Sequence, residues 1–174
     1  PERVLFAGLL EIYPVKQHEH VPIPVGLGEN FRAQWMSFEI TPHLLIAGAT
    51  RSGKSNFVNA IICSMLYMQS PDEVRFILVD NKEGVEFNRY ARVPHLVDTI
   101  TDTGDKVLPT LKTAIALMKR RLQWLKDTNA KNILAYNHAV PDRRMPRLII
   151  FIDEMATLLN RDDTGAIHNA LHIL

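Results

Sequence analysis

One cysteine in the whole chain, Cys63, excludes an intrachain disulfide and fits a reducing compartment. No run of residues approaches the ~18 consecutive apolar positions that a membrane-spanning helix needs, and no signal-like segment opens the chain. Charge of one sign is equally scarce. The 20 Lys and Arg against 19 Asp and Glu leave +1, so bulk electrostatics supplies no attraction to nucleic acid or membrane and any DNA contact must be local. The histidines, among them His18, His20, His138, His168 and His172, show no metal-ligand spacing. There is no internal repeat and no low-complexity tract. These absences leave a cytoplasmic globular chain as the expectation. At 174 residues and 47% hydrophobic content it can bury one sizeable core. It opens at Pro1 rather than methionine and stops within the apolar segment Ala166 to Leu174, so a fragment of a longer polypeptide is expected.

What is present is concentrated in Gly48-Ala49-Thr50-Arg51-Ser52-Gly53-Lys54-Ser55, which fits G-x-x-x-x-G-K-[ST]. A random chain of this length would contain the pattern roughly one time in a hundred or less. The flanks strengthen it. His43 to Ala47 is a short apolar run suited to a buried parallel strand, and Asn56 to Met68 reads as a helix. Strand, glycine loop and helix N-terminus together place unsatisfied N–H groups and a positive dipole end where phosphates can sit. Residues 48–56, Asn56 included, are therefore the expected nucleotide-binding residues. Lys54 would reach the β- and γ-phosphates, and Ser55 would offer its hydroxyl to Mg²⁺. A plain glycine turn before a core helix would require neither Lys54 nor Ser55 at those offsets.

Before the motif, short apolar runs such as Val4 to Leu10 and Trp35 to Ile40 are punctuated by Pro22, Pro24, Gly26 and Gly28, which predicts a small β-rich lead-in over residues 1–40. From residue 41 to 174, strands alternate with helical patterns. Strands are expected at Val74 to Val79, Leu96 to Ile100 and Leu148 to Ile152. Helices are expected at 105–126, with Leu108, Leu111, Ile115, Met118, Leu122 and Leu125 as its apolar stripe, and at Ile133 to Ala139. Such alternation predicts an α/β core with a mainly parallel sheet.

Arg147 to Ile152 runs into Asp153-Glu154, which lies 99 residues beyond Lys54. In a parallel sheet the strand C-termini converge on the ligand crevice, so Asp153 is expected to hold Mg²⁺ together with Ser55. Glu154 is the expected catalytic carboxylate that orients and polarises the attacking water, and Lys54 the expected catalytic cation. Arg92, Arg120 and Arg121 are unranked candidates for a further cation at the γ-phosphate of a neighbouring subunit, and a plain surface role is the simpler reading of each.

Several blocks in order resemble the FtsK/SpoIIIE family of DNA-pumping ATPases: Pro42 to Thr50, Asp72 to Lys82, Gly84-Val85-Glu86-Phe87, Val93-Pro94-His95-Leu96, Met118-Lys119-Arg120-Arg121 and Asn132 to Asn137. The similarity runs from about residue 41 to 160. It implies a P-loop NTPase with a RecA-like three-layer fold, preceded by the β-rich segment and truncated at its C-terminal side. It also implies ATP and Mg²⁺ as cofactors, assembly as a homohexameric ring, and translocation of double-stranded DNA driven by ATP hydrolysis, in chromosome segregation, conjugation or mobile-element transfer. A membrane anchor would lie outside these residues and tether the motor to the inner face of the cell membrane. Three departures stand out. Arg51 occupies a loop position where the family usually has glycine, Asn81 replaces the usual proline after Asp80, and Glu83 looks inserted. The family's γ-phosphate sensor strand and later DNA contacts are not among these residues, so the fragment alone is expected to be inactive.

Three alternatives remain open. A motor of the type VII secretion kind shares the loop and the Pro-His block, but usually carries glycine directly after the lysine at the Lys82 position, where this chain has Glu83. A non-hydrolysing ATP-binding assembly module is opposed by the presence of both Lys54 and Glu154. A P-loop kinase is opposed by the strand-terminal acid pair, which suits water activation.

Overall fold

Alternating apolar and turn-forming residues near the start of the chain make a two-stranded antiparallel ribbon, β1 (Pro22–Leu27) and β2 (Ala33–Ser37). The computed structural model describes Gly8 and residues 21–49, 51–81, 85–100 and 106–174, apart from the side chains of 98–100. Thr50, Lys82, Glu83, Gly84, His18, His20, the beginning of the helix expected at 105 and the Val4 to Leu10 run other than Gly8 lie outside the described residues. Gly8 is helical, not extended as its apolar run suggested.

The chain divides into two compact units, 1–70 and 71–174. In the first, the ribbon carries a bulge between Pro24 and Gly26. Glu39 Oε2 ties its base by accepting from Val21 N (2.9 Å) and Ser37 Oγ (2.6 Å). Helix α1 (Lys54–Met68) buries Ile61, Ile62 and Met65, and the ribbon side buries Val21 and Ile23. Cys63 is half-buried in α1.

The strand expected at His43 to Ala47 does not form. Residues 43–49 join no ladder, and Leu45 is 81% exposed. An apolar run becomes a strand only where neighbouring strands accept its N–H and C=O groups, and in this unit β1 and β2 pair with each other.

The second unit is built on a three-stranded parallel sheet in the order β4 (Leu96–Ile100), β3 (Val74–Val79), β5 (Arg147–Ile152). β3 is central, and Val74, Phe76, Leu78 and Val79 are fully buried, which explains a strand that is apolar at every position but Arg75. Phe76 stacks on His95, the residue just before β4 (centroids 5.7 Å apart), and meets Phe151 of β5 edge-on (5.8 Å).

Helix α2 (Val107–Asp127) follows β4, and α3 (Ile133–Ala139), capped by Asn132 Oδ1 accepting from Ala135 N at 2.8 Å, leads towards β5. Two short helices close the unit, α4 (Met155–Asn160) and α5 (Ala166–Ile173). The core joins Ile77 and Val79 to Val107, Leu111 and Ala114 of α2, Leu158 of α4 and Ile167 and Ala170 of α5. The buried stripe of α2 thus begins one residue before the expected one and includes Ala114. Leu122 turns outward, 50% exposed, because the distal half of α2 extends past the helices that cover its first turns.

Candidate functional site

The residues expected to carry chemistry fall in both units, and each group is described by itself. In the first unit the glycine loop closes a tight turn in which Ser52 N donates to Ala49 O at 3.0 Å. Arg51 lies within it at φ 65°, in the left-handed region that glycine enters freely and other residues rarely do. The glycine usual at that position answers to this backbone, and Arg51 bears a conformational cost instead. Gly53 follows at φ 97° as the N-cap of α1, and Phe57 N donates to Gly53 O (2.9 Å) as the helix starts.

Gly53 offers no side chain to cap the helix, and α1 has no acidic residue in its first turn. The helix start thus keeps its partial positive charge, an environment suited to phosphate oxygens. A Cβ at Gly48 would collide with Ser52 Oγ, so the Ser52 hydroxyl would have to turn away to admit one. Lys54 and Ser55 are the first two helical residues and are half-buried, whereas Ala49, Arg51, Ser52, Gly53 and Asn56 are exposed.

In the second unit the C-terminal ends of β3 and β5 lie side by side, with Val79 opposite Ile152 and Asp153 N donating to Val79 O at 2.9 Å. This brings Asp80, Asn81, Asp153 and Glu154 to one end of the sheet. Asp80, fully buried, accepts from Glu86 N (2.9 Å) and Phe87 N (3.0 Å), so its carboxylate organises the segment that follows β3. Asn81 Nδ2 donates to Asp153 O at 2.8 Å. Asp153 and Glu154 are half-buried, and Glu154 adopts φ 50°, ψ 52° as the N-cap of α4. Sequence reasoning named the two acids and missed the bond from Asn81. The available signal was a short polar side chain directly after a buried strand, at the sheet end shared with the acid pair.

The arginines differ in their surroundings. Arg92 is exposed. Arg120 and Arg143 cover the Trp124 ring, at 5.3 and 5.2 Å from its centroid. Arg121 is half-buried, and burial followed by the nearby Arg120 charge pulls its pKa below the ordinary arginine value. Its Nε is buried with no hydrogen-bond partner among the described residues.

A glycine loop opening a helix, a parallel sheet and a strand-terminal acid pair define the class as a P-loop NTPase of the RecA-like α/β kind. The chain belongs to the FtsK/SpoIIIE family, whose model matches residues 9–171. It is 37% identical over 139 residues to DNA translocase FtsK of Caldanaerobacter subterraneus subsp. tengcongensis, covering 79% of this chain and 20% of that protein. Against DNA translocase FtsK of Helicobacter pylori it is 36% identical over 148 residues, covering 82% and 17%. The chain therefore spans about a fifth of the length of the curated relatives it matches. Among solved structures it is similar to the cytoplasmic domain of the Thermomonospora curvata type VII secretion ATPase EccC, with TM-score 0.74 and 24% identity over 98% of this chain and 21% of that one. It is also similar to the pCW3 conjugation coupling protein TcpA in a monomer form with ATPγS, with TM-score 0.71 and 28% identity over 87% and 41%.

Proposed function

We propose that these residues form the ATP-hydrolysing core of a motor that moves double-stranded DNA, assembled as a homohexameric ring in the cytoplasm and tethered, where an anchor exists, by segments outside this chain. The observation that carries the reading is the 37% identity with a DNA translocase across 79% of the chain, in a stretch that includes the glycine loop. The likeness to the secretion ATPase stands at 24% identity and speaks for the fold alone, so DNA is preferred over protein as cargo. In this reading residues 41–174 work as the motor core, with 1–40 as the lead-in.

The N–H groups at the start of α1 and the Lys54 ammonium bind and orient the phosphates of ATP, in an environment that no acid of the first turn opposes. Ser55 and Asp153 supply the hydroxyl and carboxylate oxygens that a hard divalent cation prefers, and would hold Mg²⁺. When bound, Mg²⁺ neutralises charge developing on the β- and γ-phosphate oxygens. Glu154 orients a water whose oxygen attacks the γ-phosphorus as the bond to the β–γ bridging oxygen breaks. The water's proton passes to the Glu154 carboxylate, leaving ADP and phosphate.

The test is ATP turnover by the full-length protein with and without duplex DNA over a range of salt. Stimulation that weakens as salt rises is expected; turnover indifferent to DNA at every salt concentration would refute the DNA motor.

A further inference from the structure

Asn81 is 8% exposed at the end of β3, an unusual place for an amide unless each of its polar atoms is used. Its Nδ2 is used, donating to the backbone oxygen of Asp153 at 2.8 Å. Its Oδ1 is buried with no hydrogen-bond partner among the described residues.

The bonded carbonyl belongs to the peptide group joining Asp153 to Glu154, so the Nδ2 bond fixes the plane from which the Glu154 backbone departs. Glu154 leaves that plane at φ 50°, ψ 52°, a left-handed geometry that strains a non-glycine residue. Such a conformation persists only where its surroundings over-determine it. Two hydrogen bonds do this here: Asn81 grips the peptide before Glu154, and Leu158 N donates to the Glu154 carbonyl at 3.2 Å as α4 begins. The direction of the Glu154 side chain follows from this held backbone.

We infer that Asn81 is a positioning residue for hydrolysis: its amide N–H holds the Asp153–Glu154 peptide so that the Glu154 carboxylate stays aimed at the water, and its Oδ1 is the acceptor for a hydrogen from a bound water. The inference rests on the reading of Glu154 as the water-orienting carboxylate. Asp80 Oδ2 is directed to the following segment, accepting from Glu86 N and Phe87 N. The two consecutive polar residues thus serve different partners, one the loop after β3 and the other the end of β5.

The experiment uses the full-length protein with Asn81→Leu, which keeps the branching and removes both hydrogen-bonding groups, and Asn81→Gln as the conservative variant. Asn81→Leu is expected to lower kcat about tenfold or more with the KM for ATP and the Kd for nucleotide within about twofold, because misaiming a catalytic group acts on the reaction more than on binding. Asn81→Gln, which retains the amide, recovers part of the rate. In a Glu154→Gln background, Asn81→Leu lowers the residual turnover no further, since the group it positions is gone. An unchanged kcat, a loss confined to KM, or losses that add independently of Glu154 would overturn the inference.

Amide hydrogen exchange over residues 153–156 is measured on the same proteins and is independent of turnover. Faster exchange in Asn81→Leu is expected, and unchanged exchange refutes the hold on the peptide. Absence of ATP turnover in the unsubstituted protein would instead refute the proposed function, and Asn81 would then be judged by exchange alone. If Asn81→Leu does not fold, Asn81→Asp, which keeps shape and loses the donor, takes its place in every arm.

Discussion

Asn137 makes a matched pair of bonds with one backbone residue: its Nδ2 donates to Met145 O at 3.1 Å, and Met145 N donates to its Oδ1 at 2.7 Å. Met145 is 2% exposed, so replacing Asn137 by alanine strands a buried donor and a buried acceptor just before β5. Each stranded group costs about 1–3 kcal/mol. Asn137 itself is half-buried, which lets water reach part of the vacated space and places the sum towards the lower end. The expected destabilisation of the second unit is about 2 kcal/mol, or ~30-fold in its folded-to-unfolded ratio.

The structure supplies a local reporter for this measurement. Trp124 stacks against Arg143, which lies between Asn137 and Met145, and the only other tryptophan is Trp35 in the first unit. Urea unfolding followed by Trp124 fluorescence in a Trp35→Phe background therefore reads the second unit. Asn137→Ala should move the midpoint without changing the denaturant slope. Asn137→Asp keeps the acceptor for Met145 N but loses the donor to Met145 O, so it too should destabilise. A shift below about 0.5 kcal/mol for Asn137→Ala would show that water satisfies both groups and that the pair does not hold the entry to β5.

Two further outcomes concern the glycine loop. Arg51→Gly removes a left-handed residue worth about 1–2 kcal/mol of strain but adds about 0.5–1 kcal/mol of chain entropy, so a small net stabilisation is expected; a lowered Tm would contradict the backbone assignment. Gly48→Ala drives a methyl onto Ser52 Oγ and should weaken ATP binding about tenfold by calorimetry, with part of the loss recovered in Gly48→Ala/Ser52→Ala. Equal affinities of the single and double variants would refute the clash.

The elements legible in the sequence share a physical reason. β3 is buried on both faces and its sequence is apolar at every position but Arg75, while α3 opens on an asparagine that caps it. The run at 43–47 has the same apolar character and yet forms no strand, because strand formation depends on partners that no local pattern names. The stripe on α2 was legible in its period but not in where it stops being covered, since α4 and α5 lie some 30–65 residues further along the chain. The candidate site divides the same way. Loop and acid pair are visible as spacing, whereas the Asn81 bond joins residues 72 positions apart and exists only because β3 and β5 are neighbours. The left-handed backbone of Glu154 has no sequence signature, because glutamate is an unfavourable choice for it.

That unfavourable choice sets protein engineering against catalysis at one position. Among residue types, glycine and asparagine accept a φ near 50° at the least cost, and neither carries a carboxylate. A library of this chain selected only for heat resistance would therefore drift towards glycine or asparagine at position 154, yielding hardier proteins that lack the acid proposed to steer water. Screens for tougher variants should hold Glu154 fixed and look for gains elsewhere.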